Sequence, residues 1–251
     1  MKRFDSIRPY TDSEVQSVLQ QLSTNSDVVK AFISATKFGF LTKIPFSAWI
    51  ASKILQTKIK NIHTINDYQS IFENLVSNMI DTKTSGFTCN GFQNIKPNMS
   101  YLYMSNHRDI TVDPALLNYM LHQNNFKTTN IAVGNNLMSE AWASDLMRLN
   151  KSFIIDRTGK SKREIYQGLN LASEYIEDSI LEKNEPIWIA QKQGRAKDGL
   201  DKTDPALLKM IHLINRKSIP ISDYFNSLCF IPVAVSYEFD PNDLFKANEL
   251  H

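Results

Sequence analysis

The pattern of apolar and polar positions divides the chain into two parts. Residues 13–81 carry Leu, Ile and Val at roughly helical spacing among Gln, Lys and Ala, which predicts helices. From Gly86 onward, short runs of β-branched and aromatic residues alternate with longer helical stretches. This alternation predicts an α/β domain whose central sheet is largely covered by helices.

Five short runs are predicted as strands, with helical stretches between them. The strands are Tyr101–Ser105, Asn130–Gly134, Ser152–Asp156, Ile187–Gln191 and Phe230–Tyr237. The helical stretches lie near 114–124, 139–149, 161–183 and 204–216. We place the domain boundary near residue 84, so that residues 1–84 form an N-terminal helical region and residues 85–251 form the α/β domain.

Local signals add detail to both parts. Residues 11–14 supply candidate N-caps, and Asn66-Asp67 opens a helix that runs to about Ile80. Asn90-Gly91, between the short runs 87–89 and 92–95, predicts a β-hairpin.

Composition and charge exclude several classes of protein. The 28 basic and 26 acidic residues give a net charge of +2, so no global field indicates nucleic-acid binding. Cys89 and Cys229 are the only cysteines, too few for a disulfide scaffold or an all-cysteine zinc site, and they fit a reduced compartment. His63, His122, His212 and His251 show no ligand spacing, so we expect no metal site.

The most apolar stretch, residues 31–56, is too interrupted to cross a membrane. Lys37, Lys43 and Lys53 divide it, and its longest charge-free run is Ile44–Ser52, whereas a spanning helix needs about 20 apolar residues. The N-terminus lacks the apolar core of a signal peptide, so we expect a cytoplasmic protein.

Two interpretations of residues 31–56 stay open. Aromatic side chains among spaced lysines fit a pair of helices at a membrane interface, and they fit equally a helical hairpin packed on the α/β domain. The apolar side chains in question are Phe38, Phe40, Phe46, Trp49 and Ile50.

A histidine and two carboxylates occur where the first predicted strand meets a helix. Residues 105–114 read Ser-Asn-His-Arg-Asp-Ile-Thr-Val-Asp-Pro, and Pro114 suits a first helical turn. His107 can act as a general base if Asp113, or its rival Asp109, fixes its tautomer. An equally weighted alternative is that Asp113 caps the helix while His107 makes only loop hydrogen bonds.

Basic residues follow the third and fourth predicted strands. The first group runs from Arg157 to Arg163 beside a helix that Ser161 can cap, which fits a phosphate site or a solvated basic turn. In the second group, Gly194 allows close backbone approach and Arg195 can bind an anion with two nitrogens. The fifth strand, with Pro232 near its start, is predicted to be buried and to form the floor of the site.

In order and spacing, these four segments resemble the glycerolipid acyltransferase family over about residues 85–240. That family has an Asn-His or His-Arg motif with a downstream Asp, a Phe-Ile-x-x-Arg-like block, a Glu-Gly-Thr-Arg or Glu-Gly-Gly-Arg block, and an apolar block with a Pro. The corresponding segments here are 106–113, 153–157, 193–195 and 230–237. The resemblance implies a central mixed sheet flanked by helices, with an N-terminal helical appendage.

The resemblance also implies roles for individual residues. His107 would take the proton from a glycerol hydroxyl that attacks an acyl thioester, and Asp113 would orient His107. The residues implied to bind the acceptor's phosphate are Arg157, Lys192, Arg195 and Lys197. Those implied to position the substrate are Asn106, Arg108, Gln193 and Gly194.

Partners follow from the same resemblance. The donor would be acyl-CoA or acyl-carrier protein as co-substrate, with no other cofactor and no metal. Asn106-His107 favours 1-acylglycerol 3-phosphate (lysophosphatidate) as acceptor, whereas His107-Arg108 is similar to the glycerol-3-phosphate branch. We expect a peripheral membrane protein of phospholipid biosynthesis, with no nucleic-acid partner.

The sequence departs from the family pattern at two points. Five residues separate His107 from Asp113, where the family usually has four. Gln193 stands where the third block has Glu, and an amide can hydrogen-bond but cannot serve as an anion or a base. The alternative to an active enzyme is therefore a non-catalytic protein that binds a lipid or a partner.

Overall fold

The computed structural model describes residues 3–35, 47–138 and 140–250. The chain separates into two compact units. The sheet unit comprises the described parts of 1–8, 74–135 and 153–251, and the helical unit comprises those of 9–73 and 136–152. The domain boundary near residue 84 stays a prediction. The helical unit also includes residues 136–152, and the sheet unit also includes the described part of residues 1–8.

Helices account for most of the described regular structure. Their bounds are α1 Asp12–Thr24, α2 Ser26–Ala35, α3 Ser47–Lys58, α4 Ile65–Lys83, α5 Val112–Gln123, α6 Ala141–Leu149, α7 Lys162–Glu177, α8 Pro205–Ile211, α9 Ile221–Ser227 and α10 Asp243–Leu250. A π-helical turn, Asp178–Glu182, extends α7. The helix predicted from Asn66-Asp67 is confirmed as α4, and all four helical stretches predicted between the strands contain a helix.

The five predicted strands are confirmed, most of them shortened at an end. They are β1 Leu102–Ser105, β2 Asn130–Gly134, β3 Ser152–Ile155, β4 Ile187–Ala190 and β5 Phe230–Val233. They form one sheet in the order β3-β2-β4-β1-β5. The chain is therefore of the predicted α/β class, with a sheet flanked by helices.

The sheet is parallel, whereas a mixed sheet was predicted. β1 runs parallel to both β4 and β5, and β4 runs parallel to β2. The physical reason is the connectivity, because each connection between consecutive strands contains a helix that returns the chain to the same end of the sheet. Parallel strands bring all their carboxyl ends to one edge, where loops can meet.

The central strand β4 and its neighbour β1 are buried on both faces. Leu102 and Met104 pack in a cluster with Ile187, Ile189 and Ile176 of α7. The alternate side chains of the same strands, Tyr103, Trp188 and Ala190, pack in a second cluster with Leu121 of α5 and with Tyr101, just before β1. This double burial gives β1 and β4 the continuous apolar character of parallel strands and fixes the points at which their loops begin.

The fifth strand was predicted to be buried, and that prediction is wrong. β5 lies at the edge of the sheet, and Pro232 opposite Met104 is exposed. Proline has no backbone N–H to donate to a ladder, so an edge strand is where it fits.

The predicted β-hairpin at Asn90-Gly91 is also wrong. Gly91 has φ +104° and opens a short 3-10 turn, Phe92–Asn94, in which Asn94 N–H donates to Gly91 O at 2.9 Å. The flanking runs are short and largely exposed, so they offer little to pair. Phe92 instead packs on Phe126, with ring centroids 5.6 Å apart.

The helical unit has its own core. Val15, Leu19 and Leu22 of α1 pack with Tyr68 of α4 and Leu149 of α6. The start of α1 was predicted near residues 11–14, and Thr11 N–H donates to the Glu14 carboxylate at 2.8 Å, as in a capping box.

Part of the apolar stretch 31–56 lies outside the described residues, namely Lys37, Phe38, Phe40, Lys43 and Phe46. In the described part, Ala51 of α3 is buried with Val29 and Ile33 of α2. Other apolar side chains of α3 are exposed, at 63% for Trp49, 44% for Ile50 and 40% for Ile54. Among the described residues, no helix combines the length and apolarity needed to cross a membrane.

Candidate active site

The site residues follow three neighbouring strands. Ser105 at the end of β1 is level with Ala190 of β4 and with Val233 of β5. The Gln191 N–H continues the ladder by donating to Ser105 O at 2.7 Å. The loop 106–111 and the loop 191–204 therefore start side by side.

His107 contacts the carboxylate that the sequence favoured. Its Nδ1 lies 3.3 Å from Asp113 Oδ2, and Asp113 is fully buried while His107 is 8% exposed. Asp113 Oδ2 also accepts from the backbone N–H groups of Arg108 at 2.7 Å and Asp109 at 2.9 Å. Its other oxygen accepts the Tyr237 hydroxyl at 2.7 Å. These contacts give both oxygens of a buried carboxylate hydrogen-bond donors, which offsets the cost of burying it.

Asp113 does not act as the N-cap that one interpretation assigned to it. The helix α5 begins at Val112, so Asp113 lies inside the first turn and reaches back to the loop. Asp109 takes the capping role, since its Oδ1 accepts from the N–H groups of Thr111 and Val112, both at 2.9 Å. With its Oδ2 accepting from Asn242 at 2.7 Å, Asp109 is engaged elsewhere and Asp113 is the carboxylate that contacts His107.

The Tyr237 hydroxyl is held neutral beside this carboxylate. Burial raises the pKa of Tyr237 well above its ordinary value, and the adjacent Asp113 charge raises this pKa further. A neutral hydroxyl can only donate to this carboxylate, so the hydrogen bond helps to fix the position of Asp113. Sequence reasoning placed Tyr237 at the end of the apolar block but gave it no role.

Asn106 and Arg108, predicted to position the substrate, make contacts that hold loops together. Asn106 bonds the backbone of Val235 in both directions, with its Oδ1 accepting from N–H at 2.8 Å and its Nδ2 donating to O at 2.9 Å. Arg108 lies 3.4 Å from Asp201 and 3.7 Å from Asp240. Both residues line an open polar cavity of about 370 Å³.

Arg157 has few hydrogen-bond partners among the described residues and no carboxylate within ion-pair distance. Its Nη1 donates to Gln193 Oε1 at 2.7 Å, and its buried Nε has no hydrogen-bond partner within the described part of the chain. Burial lowers the pKa of Arg157, which is the mark of a poorly hydrated guanidinium. An Arg pKa starts so high that the group stays charged near neutrality. The hydrogen-bonding capacity of Arg157 is thus not filled by the described residues.

The helix beside Arg157 does not offer its own terminus to an anion. Ser161 Oγ accepts from Glu164 N–H at 3.2 Å, which confirms the predicted cap of α7. The Glu164 carboxylate in turn accepts from Lys160 N–H at 2.7 Å. The side chain of Arg157, rather than the backbone, is therefore what this loop presents.

The loop 191–204 holds the other predicted phosphate ligands, but two of them already have a carboxylate. Arg195 and Lys197 contact opposite oxygens of Glu249 in α10, at 2.5 and 3.0 Å. Lys192 Nζ donates to Leu200 O at 3.4 Å. Gly194 has φ +73°, the left-handed region that glycine enters at little cost, and a Cβ there would meet nothing within 4 Å. Glu249 lies beyond the resembling segment, so no signal in the sequence connected it with the site.

The two loops are joined by one backbone hydrogen bond. Ala196 N–H donates to His107 O at 2.6 Å, and Ala196 is buried. Trp188 of β4 closes the other side of the histidine, with ring centroids 6.1 Å apart, and its Nε1 donates to Ser105 Oγ at 3.0 Å. The histidine is thus fixed by its carboxylate, its backbone and an aromatic wall.

This arrangement has the parts that acyl transfer requires. A histidine oriented by a buried carboxylate can take a proton from a hydroxyl, and nearby cations can hold an anionic substrate. No cluster of His, Cys, Asp or Glu within the described ranges could hold a metal ion.

Comparison with known proteins bears on the same part of the chain. Residues 86–204 match the model of the family described as acyltransferase. No curated protein matches the chain. The matched segment contains His107, Asp113 and the predicted phosphate ligands, and it ends before β5 and α10. Residues 86–204 are therefore an acyltransferase domain of the kind found in the glycerolipid acyltransferase family, and the match supports a general acyltransferase role for the chain.

Proposed function

We propose that this acyltransferase moves a fatty acyl group from a thioester donor to a hydroxyl of 1-acylglycerol 3-phosphate in phospholipid biosynthesis. The observation that carries the proposal is the contact between His107 Nδ1 and the fully buried Asp113 carboxylate. Asp113 accepts from two backbone N–H groups and a hydroxyl, so it faces His107 as an acceptor. The Nδ1 proton then points to Asp113 and leaves Nε2 free to act as a base.

The chemical step moves one proton through His107. Nε2 takes the proton of the acceptor hydroxyl as its oxygen attacks the thioester carbonyl carbon. The tetrahedral intermediate collapses, the C–S bond breaks, and the proton on Nε2 passes to the departing sulfur. Asp113 stays ionised throughout and stabilises the imidazolium.

Substrate phosphate binds at the cations of the two loops. The unpaired donors of Arg157 support it as the principal ligand, and Lys192, Arg195 and Lys197 add charge around it. Holding the phosphate fixes the hydroxyl near His107, which removes much of the entropic cost of a two-substrate reaction. Asn106, Arg108, Gln193 and Gly194 position the substrate indirectly, by shaping the loops.

The donor is acyl-CoA or acyl-carrier protein, and no other cofactor is needed. The protein works at the cytoplasmic face of a membrane as a peripheral protein. The exposed apolar face of α3, with Trp49 at 63%, supports attachment through this helix.

The test is a direct acylation assay. Purified protein is incubated with acyl-CoA or acyl-carrier protein and with lysophosphatidate or glycerol 3-phosphate, and the lipid products are separated. We expect phosphatidate from lysophosphatidate. Turnover of neither acceptor by protein shown to be folded would reject the proposal, and free fatty acid without phospholipid product would indicate a thioesterase.

A glycerol-3-phosphate acyltransferase is the nearest alternative, and the same assay separates the two acceptors. The adjacent residues His107-Arg108 suggested that branch. In the structure, Arg108 forms ion pairs with Asp201 and Asp240. This engagement favours lysophosphatidate.

A non-catalytic lipid- or partner-binding protein is a second alternative, favoured by Gln193. Its amide contacts Arg157 at 2.7 Å where the family has a carboxylate. If activity had been lost through this residue, Gln193→Glu should restore a large rate.

A further inference from the structure

Glu249 occupies the place that a ligand anion would take on the loop 191–204. Its two oxygens are divided between Arg195 Nη2 at 2.5 Å and Lys197 Nζ at 3.0 Å. The hydrogen bonds from Lys197 and Arg195 lower the pKa of Glu249, so it is ionised at neutral pH. One carboxylate between two cations is the arrangement that these cations would make with a phosphate.

The neighbouring cations show what the loops look like without such a carboxylate. Arg157 contacts only the neutral amide of Gln193, and Lys192 contacts a backbone oxygen. No carboxylate within the described residues lies within ion-pair distance of either of them. Glu249 therefore partly neutralises the charge of Arg195 and Lys197. Arg157 and Lys192 have only neutral partners, so their charge is not offset by a carboxylate.

The segment that carries Glu249 is anchored beside the proposed base. Asn242, just before α10, donates to Asp109 Oδ2 at 2.7 Å, and Lys246 forms an ion pair with Asp240. Lys246 is 3% exposed, so the middle of α10 is firmly held. Glu249, in contrast, lies in the last turn of that helix, and its side chain is 41% exposed.

The exposed end of this arrangement is suited to exchange. Ion pairs between exposed groups are weak because water and salt screen them. A phosphate dianion brings twice the charge of a carboxylate to Arg195 and Lys197. It can therefore displace Glu249, while a monoanion would compete poorly.

We propose that Glu249 is an internal competitor for substrate phosphate: it binds Arg195 and Lys197 when no substrate is present and is displaced when a phosphate dianion binds. This inference rests on the proposed phosphate site. It makes Glu249 a specificity-determining residue, because only ligands charged enough to displace it gain full access to these cations. It also couples occupancy of the site to release of the end of α10.

The experiment measures binding of inorganic phosphate and of glycerol 3-phosphate to the full chain by calorimetry. Glu249→Gln keeps the shape of the side chain and removes its charge, and the exposed Glu182→Gln, in the turn after α7, is the matched control. We expect Glu249→Gln to bind both ligands about three- to tenfold more tightly than the unmodified chain, as loss of two exposed ion pairs implies. Glu182→Gln should bind as the unmodified chain does.

A second measurement follows the helix itself. Hydrogen exchange of the backbone N–H groups in 243–250 should become faster when saturating phosphate is added to the unmodified chain, and Glu249→Gln should exchange fast without phosphate. Slower exchange on adding phosphate would mean that the ligand clamps α10, and the inference would be overturned.

Arg195→Gln distinguishes failure of this inference from failure of the proposed function. If Arg195→Gln weakens phosphate binding but Glu249→Gln leaves it unchanged, the phosphate site stands and Glu249 is not a competitor. If neither substitution changes phosphate affinity, the phosphate role of Arg195 fails and the inference fails with it.

Discussion

The loops that follow β1 and β4 start level with each other but are built in opposite ways. In the loop 106–111, the polar groups around His107 and Asp113 have partners, and both side chains are buried. In the loop 191–204, Arg195 and Lys197 hold an exposed carboxylate from another helix, and Gly194 has open space around it. The first loop is held by buried contacts, whereas the cations of the second are held by a contact at the surface.

The difference matches what each loop is proposed to do. Proton transfer depends on fixed geometry, so a catalytic base gains from a rigid setting. Binding of an acceptor must be reversible and must release product, so a loop with weaker and exchangeable contacts is adequate. Substitutions in the first loop should therefore act on the chemical step, and those in the second should act on acceptor affinity.

His107→Ala gives the largest expected effect. Without the base, turnover should fall by at least about 10²-fold, the lower range for positioned acid–base catalysis. Acceptor binding, measured by calorimetry with glycerol 3-phosphate, should be unchanged because the cations lie in other loops. Near-normal turnover in this variant would show that the first loop is not the catalytic one.

Arg157→Ala should act mainly on affinity. Loss of a charge-assisted contact with phosphate costs about 1.5–3 kcal/mol, so acceptor KM should rise roughly ten- to a hundredfold with a smaller change in kcat. Arg163→Ala removes a neighbouring cation outside the proposed contacts and is the control. An unchanged KM would remove Arg157 from the phosphate site.

Tyr237→Phe tests how far the first loop depends on its satisfied carboxylate. Removing the hydroxyl that donates to buried Asp113 should lower the free energy of unfolding by about 1.5–3 kcal/mol. Chemical denaturation at pH 7 measures this difference. Turnover should fall less than in His107→Ala, since Asp113 keeps its two backbone donors.

The same substitution has a pH signature. Because the pKa of Tyr237 is raised in the folded state, the stability it confers is present below the ordinary tyrosine pKa of about 10. Above that pH the unfolded chain ionises first, so the stability is lost as pH rises toward the folded pKa. The advantage of the unmodified chain over Tyr237→Phe should therefore shrink above pH 10, and a constant advantage would contradict the assignment.

Gln193→Glu reverses the departure from the family and should have a smaller effect. A carboxylate at 193 would pair with Arg157 and occupy its donors, so acceptor KM should rise about threefold to tenfold. Gln193→Asn, which stays neutral, is the control. A large rise in kcat instead would mean that Gln193 had suppressed the chemistry, in favour of the non-catalytic alternative.

The smallest expected effect concerns membrane attachment. Phe46→Ser with Trp49→Ser should reduce sedimentation with vesicles of anionic phospholipid a few-fold, and high salt should release the unmodified chain. Leu181→Ser, at another exposed apolar position, is the control. If neither the two substitutions nor high salt changes the fraction of protein that sediments, residues 31–56 are better interpreted as a packed helical hairpin.

The sequence predicted the parts of the fold that depend on local periodicity. Five strands and the helices between them were found because apolar runs and helical spacing are properties of neighbouring residues. The parallel direction of the sheet follows from connectivity that a single strand does not encode. Edge position likewise escaped prediction, although Pro232 carried a usable signal, because a strand's neighbours are decided by tertiary packing.

The site was predictable to the same degree. His107 and Asp113 lie six positions apart in one chain segment, so the sequence placed them near each other, while the preference for Asp113 over Asp109 came from the family resemblance. Tyr237 and Glu249 approach from 124 and 54 positions away. Contacts of that range depend on how the chain returns to the sheet edge, and no local pattern reports it.

The backbone hydrogen bond from Ala196 to His107 O couples the two loops, and the coupling free energy acts equally in both directions. A ligand that orders the loop 191–204 strengthens the constraint on the histidine backbone, and an ordered histidine favours the ligand-bound loop by the same free energy. A ligand bound to the loop 191–204 is thereby coupled to the backbone of His107 through one peptide group. Because His107 is already fixed by Asp113 and Trp188, this coupling acts on the affinity of the loop 191–204 for its ligand more than on the geometry of the histidine.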